Sequence, residues 1–63
     1  MPKTNVIVKL TGEDGNAFYI MGKVIKALKL AGLDEMAKQY EMEAMAGDYE
    51  NLLRVTMKFV EVE

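Results

Sequence analysis

The sequence predicts a small α+β domain that is mainly helical, with the order β-α-α-α-β and terminal strands that pair within one chain or between chains. Three observations support this prediction. Apolar residues alternate near the N-terminus, three later segments repeat apolar residues at helical spacing, and the last residues regain strand character. We expect residues 1–63 to form a single small domain, because a chain of this length holds no more than one.

The first strand is predicted over residues 4–11. Val6, Val8 and Leu10 fall on one face of this segment. A period of two with β-branched residues is typical of a strand that has one buried face. The strand is predicted to end in a turn at residues 12–16, where two glycines stand among asparagine and acidic residues.

The first helix is predicted from Ala17 to Ala31, with Asn16 as its N-cap and Gly32 as a left-handed residue at its C-terminal end. The apolar stripe of this helix consists of Ile20, Val24, Ala27, Leu28 and Ala31. It is flanked by Phe18, Met21 and Ile25. Three lysines lie on the opposite side: Lys23, Lys26 and Lys29.

The second helix is predicted from Asp34 to about Ala46, since acidic residues favour a helix N-terminus. One of its faces carries Met36, Ala37, Tyr40 and Ala44, whereas Met42 and Met45 point elsewhere. Asp48 is predicted to cap a third helix from Tyr49 to about Lys58, which a short strand over residues 59–62 follows. A strand over the whole of residues 55–62 is the alternative.

Composition excludes several classes of chemistry. The chain has no histidine, cysteine or serine. Ser-His-Asp and Cys-His catalysis and thiolate or imidazole metal sites all need those side chains. We therefore predict a protein that is not an enzyme, with no catalytic residue, no metal site and no cofactor. The N-terminus lacks the pattern of a signal peptide and no apolar run is long enough to span a bilayer, so a cytoplasmic protein without a membrane partner is expected.

Charge argues against a nucleic-acid partner. The net charge is −2, the pI is about 5.1, and Arg54 is the single arginine. The charge is unevenly divided: residues 1–31 carry five lysines and two acids, a balance of +3, and residues 32–63 carry eight acids and three basic residues, a balance of −5. Two solvated faces explain this division, and the alternative is that it orients a partner or a second copy.

Chain length favours self-association. For 63 residues the free energy from apolar burial and the cost of ordering the chain are each about 90 kcal/mol, so they cancel. Without a disulfide or a metal, association of copies is the main remaining source of stability. A homo-oligomer is therefore predicted.

Two groups of residues are candidate sites. The first is an anion site at the start of the first helix, formed by Gly12, Gly15, Asn16 and Lys23, because helix N-termini attract anions. The sequence between these glycines matches no phosphate-binding motif and carries two carboxylates, which favours an ordinary turn instead.

The second candidate is an interaction surface. Six methionines are the unusual count in this composition, and methionine adapts to irregular cores and to partner proteins. A soft core in a small domain is the favoured explanation of this surplus. The functional alternative is a protein interface formed by Tyr40, Met42, Met45 and Tyr49, since tyrosine is enriched at interfaces.

A pattern of short motifs runs through nearly the whole chain. It consists of Asp14-Gly15-Asn16-Ala17-Phe18, Gly22-Lys23-Val24, Ala27-Leu28, Ala31-Gly32, Glu43-Ala44, Gly47-Asp48-Tyr49, Leu52-Leu53 and Val60-Glu61-Val62. This pattern resembles a group of very small proteins of unknown function encoded in bacterial, phage and prophage genomes. The resemblance implies a phage or mobile-element setting and supplies no activity or site residue.

Together these observations predict a non-enzymatic protein-interaction module, a phage-type modulator of a host protein or defence system. Two alternatives remain open. One is a binding protein that holds a nucleotide or similar anion at a subunit junction, and the other is a minor structural component of a phage.

Overall fold

A computed structural model describes residues 2–10 and 16–63 of the chain. It confirms the predicted order β-α-α-α-β. The elements are β1 (Ile7–Val8), α1 (Ala17–Leu30), α2 (Asp34–Ala44), α3 (Tyr49–Phe59) and β2 (Glu61–Val62).

The two strands pair in parallel within the chain, with Ile7 opposite Glu61 and Val8 opposite Val62. This pairing answers the question that the sequence left open, whether the terminal strands meet within one chain. Parallel strands need a long crossover connection, which the three helices supply here. The backbone ladder extends past the strands, because the amide of Glu63 donates to the carbonyl of Val8 (2.9 Å).

Both strands are shorter than predicted. Before β1, the amide and the hydroxyl of Thr4 both donate to the carbonyl of Phe59, at 3.2 and 2.7 Å, so this segment ties down the end of α3 instead of extending the ladder. Phe59 itself closes α3 and Val60 is its C-cap, so β2 begins only at Glu61. Thr11, the predicted end of β1, lies outside the described residues.

The ends of α1 follow the sequence prediction closely. The side chain of Asn16 accepts a hydrogen bond from the amide of Tyr19 (3.1 Å) and caps the helix. At the other end Gly32 has φ +79°, a conformation that favours glycine. Its amide donates to Lys29 and the amide of Leu33 donates to Leu28, the pair of bonds of a Schellman motif.

The core lies where the three helices and the strand pair meet. Its fully buried large side chains are Val24, Leu28, Tyr40, Phe59 and Val60. Helix α2 ends at Ala44, two residues before the predicted position, and Met45 is its C-cap. Helix α3 turns Val55 and Phe59 inward and leaves Met57 exposed.

Candidate functional site

An apolar groove of about 240 Å³ lies between the first turns of α1 and the junction of α2 and α3. It is lined chiefly by Ala17, Phe18 and Met21 on the α1 side and by Met45, Tyr49 and Leu52 on the other. Asn16 fixes where α1 begins, and the spacing of three residues then places Phe18 and Met21 on adjacent turns of one face. We call this feature the apolar groove.

The turn between α2 and α3 positions Met45 and Tyr49, on the side of the groove opposite α1. Asp48 caps α3 by accepting a hydrogen bond from the amide of Asn51 (3.0 Å), and the side-chain amide of Asn51 donates to the carbonyl of Glu43 (3.0 Å). A Cβ at Gly47 would lie 2.8 Å from Cβ of Asn51, so only glycine fits there. These two hydrogen bonds and the close approach of Gly47 to Asn51 therefore fix the side of the groove that carries Met45 and Tyr49.

The rim of the apolar groove presents large apolar side chains to solvent. Phe18 is 80% exposed and Met45 is 62% exposed, and Tyr49 is partly exposed beside them. Isolated exposed apolar residues are common on soluble proteins, but several around one concave surface are typical of a binding site.

A second, shallower concavity adjoins the apolar groove on the far side of Phe18. It has a volume of about 420 Å³ and is lined by Phe18, Tyr19, Gly22, Lys23 and Lys26, and we call it the lysine concavity. The ammonium group of Lys23 donates to the hydroxyl of Tyr19 (3.3 Å) and lies 5.5 Å from the centre of its ring. Lys26 is exposed.

The charges beside the apolar groove differ between its two sides. The α1 side, beyond Phe18, carries Lys23 and Lys26. On the α3 side, Asp48 lines the groove and Glu50 follows in the first turn of α3. The site thus has a basic edge, defined by Lys23 and Lys26, and an acidic edge, defined by Asp48 and Glu50.

Further from the groove, the carboxylate of Glu43 pairs with the ammonium group of Lys58 at 3.2 Å. The hydrogen bond from Lys58 lowers the pKa of Glu43, and a second bond from Gln39 acts in the same direction. This pair joins α2 to α3 on the surface.

Two of the four predicted interface residues, Met45 and Tyr49, line the apolar groove. Met42 is exposed on α2 but does not line it. The prediction for Tyr40 is wrong, because its side chain is fully buried. Its ring packs edge-on against Phe59 with centroids 5.6 Å apart, so it belongs to the core.

The predicted anion site is described only in part, since Gly12 and Gly15 lie outside the described residues. The side chain of Asn16 caps α1, and the ammonium group of Lys23 bonds to Tyr19.

Phe18 lines both concave surfaces, although the sequence analysis places it at the edge of the apolar stripe of α1. Its spacing of four and eight residues from Gly22 and Lys26 is the signal that places it on the exposed face of α1.

Comparison with protein families, curated proteins and solved structures finds no match to the chain. The resemblance to very small phage proteins therefore stays a prediction from the sequence. Within residues 2–10 and 16–63, no three His, Cys, Asp or Glu side chains form a group that could hold a metal ion. None of the helices in that part of the chain combines the length and apolar character that crossing a bilayer requires.

Proposed function

We propose that the protein is a non-enzymatic interaction module that binds a partner protein through the apolar groove. The observation that carries this proposal is the exposure of Phe18, 80%, directly beside a groove that no residue in 2–10 or 16–63 fills. Aromatic residues and methionine are the residue types enriched in the buried centres of protein interfaces. Phe18, Met45 and Tyr49 supply both types around a single concave surface.

The exposed apolar side chains at the rim of the groove supply the free energy for binding. Burial of apolar surface contributes about 25 cal/mol for each Å² removed from water. Aromatic anchors that enter a well-packed pocket are the usual hot spots of an interface. Binding of a partner that covers Phe18 and Met45 is therefore favoured by burial of apolar area that stays exposed in the isolated chain.

Composition and motif pattern support binding and a host target. The absence of histidine, cysteine and serine supports a role in binding instead of catalysis. The resemblance to very small phage proteins supports a target in the host of a phage or other mobile element. A protein of this size that acts by occupying a surface needs no more than one good docking site.

Site-specific photo-crosslinking tests the proposed function. A photoreactive phenylalanine analogue is placed at Phe18, and a matched control carries it at Leu30, which is 79% exposed on the same helix but lines neither concave surface. We expect a protein adduct at position 18 that is absent at position 30. The adduct partner, identified by mass spectrometry and purified, should bind the wild-type protein and not the variant Phe18→Ser. A chain that forms no protein adduct at position 18 contradicts the proposal.

The lysine concavity favours a second candidate, the binding of a nucleotide or similar aromatic anion. Tyr19 and Phe18 offer ring faces for stacking, and Lys26 offers an exposed ammonium group. Calorimetric titration with a nucleotide panel tests it. Heats that disappear in Lys26→Ala support this candidate, and a panel without any heat of binding rejects it.

A further inference from the structure

We infer that the partner at the apolar groove is a second copy of the same chain, related by a two-fold axis that brings Phe18 of each copy into the groove of the other. This inference rests on the proposed function, because it names the occupant of the same surface. Three features of the surface lead to it: the fit between Phe18 and the groove, the charges at its two edges, and a glycine in the middle of α1.

The first feature is that one patch holds both the projecting side chain and the groove that accepts it. A two-fold interface uses the same surface on both copies, so it must be complementary to itself. A cavity of about 150 Å³ admits benzene. The groove, at about 240 Å³, therefore has room for the ring of Phe18 from a second copy, and Phe18 adjoins it on the α1 side. The two Phe18 rings then meet as an aromatic pair.

The second feature is the opposite charge of the two edges. A two-fold axis through the apolar groove carries the basic edge of one copy, Lys23 and Lys26, over the acidic edge of the other, Asp48 and Glu50. Both edges are matched at once, because the operation is symmetric. Among the described residues neither Lys26 nor Glu50 forms an ion pair within the chain, so both charges face outward. Such matching orients partners more than it tightens them.

The third feature is Gly22. Glycine inside a helix costs about 1 kcal/mol relative to alanine. Nothing in the described chain requires it here, since a Cβ at this position would meet no atom within 4 Å. Gly22 lines the lysine concavity one turn after Phe18. The open space above it accepts the rim of the other copy, which the two-fold axis places beside Phe18.

Sedimentation velocity over a concentration series is the test. The wild-type protein should shift from monomer to dimer as concentration rises toward about 1 mM. Phe18→Ser should remain monomeric, and its matched control Leu30→Ser should dimerise like the wild type. Circular dichroism checks that both variants keep their helices. A wild-type protein that stays monomeric throughout overturns the inference, and so does a Phe18→Ser variant that still dimerises.

A charge-exchange pair tests the symmetry itself. Lys26→Glu alone and Glu50→Lys alone each place two like-charge contacts in the dimer, so each should self-associate at least tenfold more weakly than the wild type. A mixture of the two variants restores opposite charges at both edges and should form a heterodimer. If the mixture associates no better than either variant alone, the two-fold arrangement is wrong.

The two proposals fail in different ways. A monomeric protein whose Phe18 photo-adduct contains a different protein overturns the second copy as occupant and leaves the interaction module standing. A chain that forms no protein adduct at Phe18, in cells or in purified form, overturns both.

Discussion

The hydroxyl oxygen of Tyr40 lies 2.7 Å from Oγ1 of Thr56 at the centre of the core, and the hydroxyl of Thr56 donates in turn to the carbonyl of Leu52 at 2.8 Å. Thr56 has one hydroxyl proton, and Leu52 receives it, so Tyr40 is the donor of the shorter bond. This directed chain satisfies both buried hydroxyls. It also links α2 to α3 by a polar contact inside an otherwise apolar core.

Because Tyr40 donates and Thr56 accepts, removing the hydroxyl of Thr56 should lower the free energy of unfolding more than removing that of Tyr40. Thr56→Val leaves the hydroxyl of Tyr40 buried without an acceptor and should lower the free energy of unfolding by about 1–3 kcal/mol. Tyr40→Phe removes only the donor and should cost about 1 kcal/mol. The double variant should lose less than the sum, because neither orphan then remains. Urea unfolding of the four proteins measures this, and additive costs contradict the bond.

Tyr40 also predicts a loss of stability at alkaline pH. Burial raises the pKa of Tyr40 above its ordinary value of 10.0, although the bond with Thr56 opposes this in part. The unfolded chain then loses the phenolic proton at lower pH than the folded one. The stability tied to Tyr40 is therefore present below about pH 10 and declines as pH rises above it. Thermal melts from about pH 9 to 11 should show a shallower decline for Tyr40→Phe, with Tyr19→Phe as the control that follows the wild type.

Glu43 predicts a loss of stability at acid pH. The hydrogen bond from Lys58 holds the pKa of Glu43 below its ordinary value of 4.5, so the unfolded chain takes up the proton first as pH falls. The stabilisation is present above that value and is lost as pH falls through the lower value of the folded state. The difference in melting temperature between wild type and Glu43→Gln should shrink across this interval. Glu41→Gln, on the same helix, is the control, and a constant difference at all pH values contradicts the pairing.

Gly22, inside α1, and Gly32, just after it, should respond in opposite ways to substitution by alanine. Gly22→Ala should raise the free energy of unfolding of the monomer by up to about 1 kcal/mol, because the helix gains propensity and the Cβ meets open space. Gly32→Ala should lower it by about 1 kcal/mol, because φ +79° strains an L side chain. Urea unfolding in dilute solution compares them. A destabilised Gly22→Ala means that α1 needs this glycine for its own packing.

Much of the fold follows from local patterns that the sequence displays. Asn16, Gly32 and Asp48 mark helix ends through side-chain caps and a left-handed turn, and the structure places each at the predicted role. These signals depend on neighbouring residues alone. They therefore set both ends of α1 and the start of α3 without any knowledge of the tertiary contacts.

The structure differs from the sequence prediction where contacts between distant parts of the chain determine the conformation or the burial of a residue. Phe59 has strand propensity, but burial against Tyr40 keeps it in the last turn of α3 and shortens β2. Tyr40 satisfies its hydroxyl on Thr56, sixteen residues away, which lets a polar aromatic side chain lie in the core instead of on the surface. Neither contact has a local signature in the sequence.

The candidate site divides in the same way. Met45 is predicted because it departs from the apolar stripe of α2, and Tyr49 because tyrosine is enriched at protein interfaces, and both residues line the groove. That Phe18 adjoins them could not be predicted, because the packing of α1 against the turn between α2 and α3 brings these residues to one groove.

An intermolecular NOE experiment examines the docking of Phe18 at the level of atoms. Equal amounts of protein with ¹³C-methyl methionine and of unlabelled protein are mixed, and an isotope-filtered spectrum selects contacts between copies. We predict cross-peaks between the ring protons of Phe18 in one copy and the methyl groups of Met21 and Met45 in the other, with none to Met57. A dimeric sample that shows no contact between Phe18 and these two methyl groups would contradict the proposed interface.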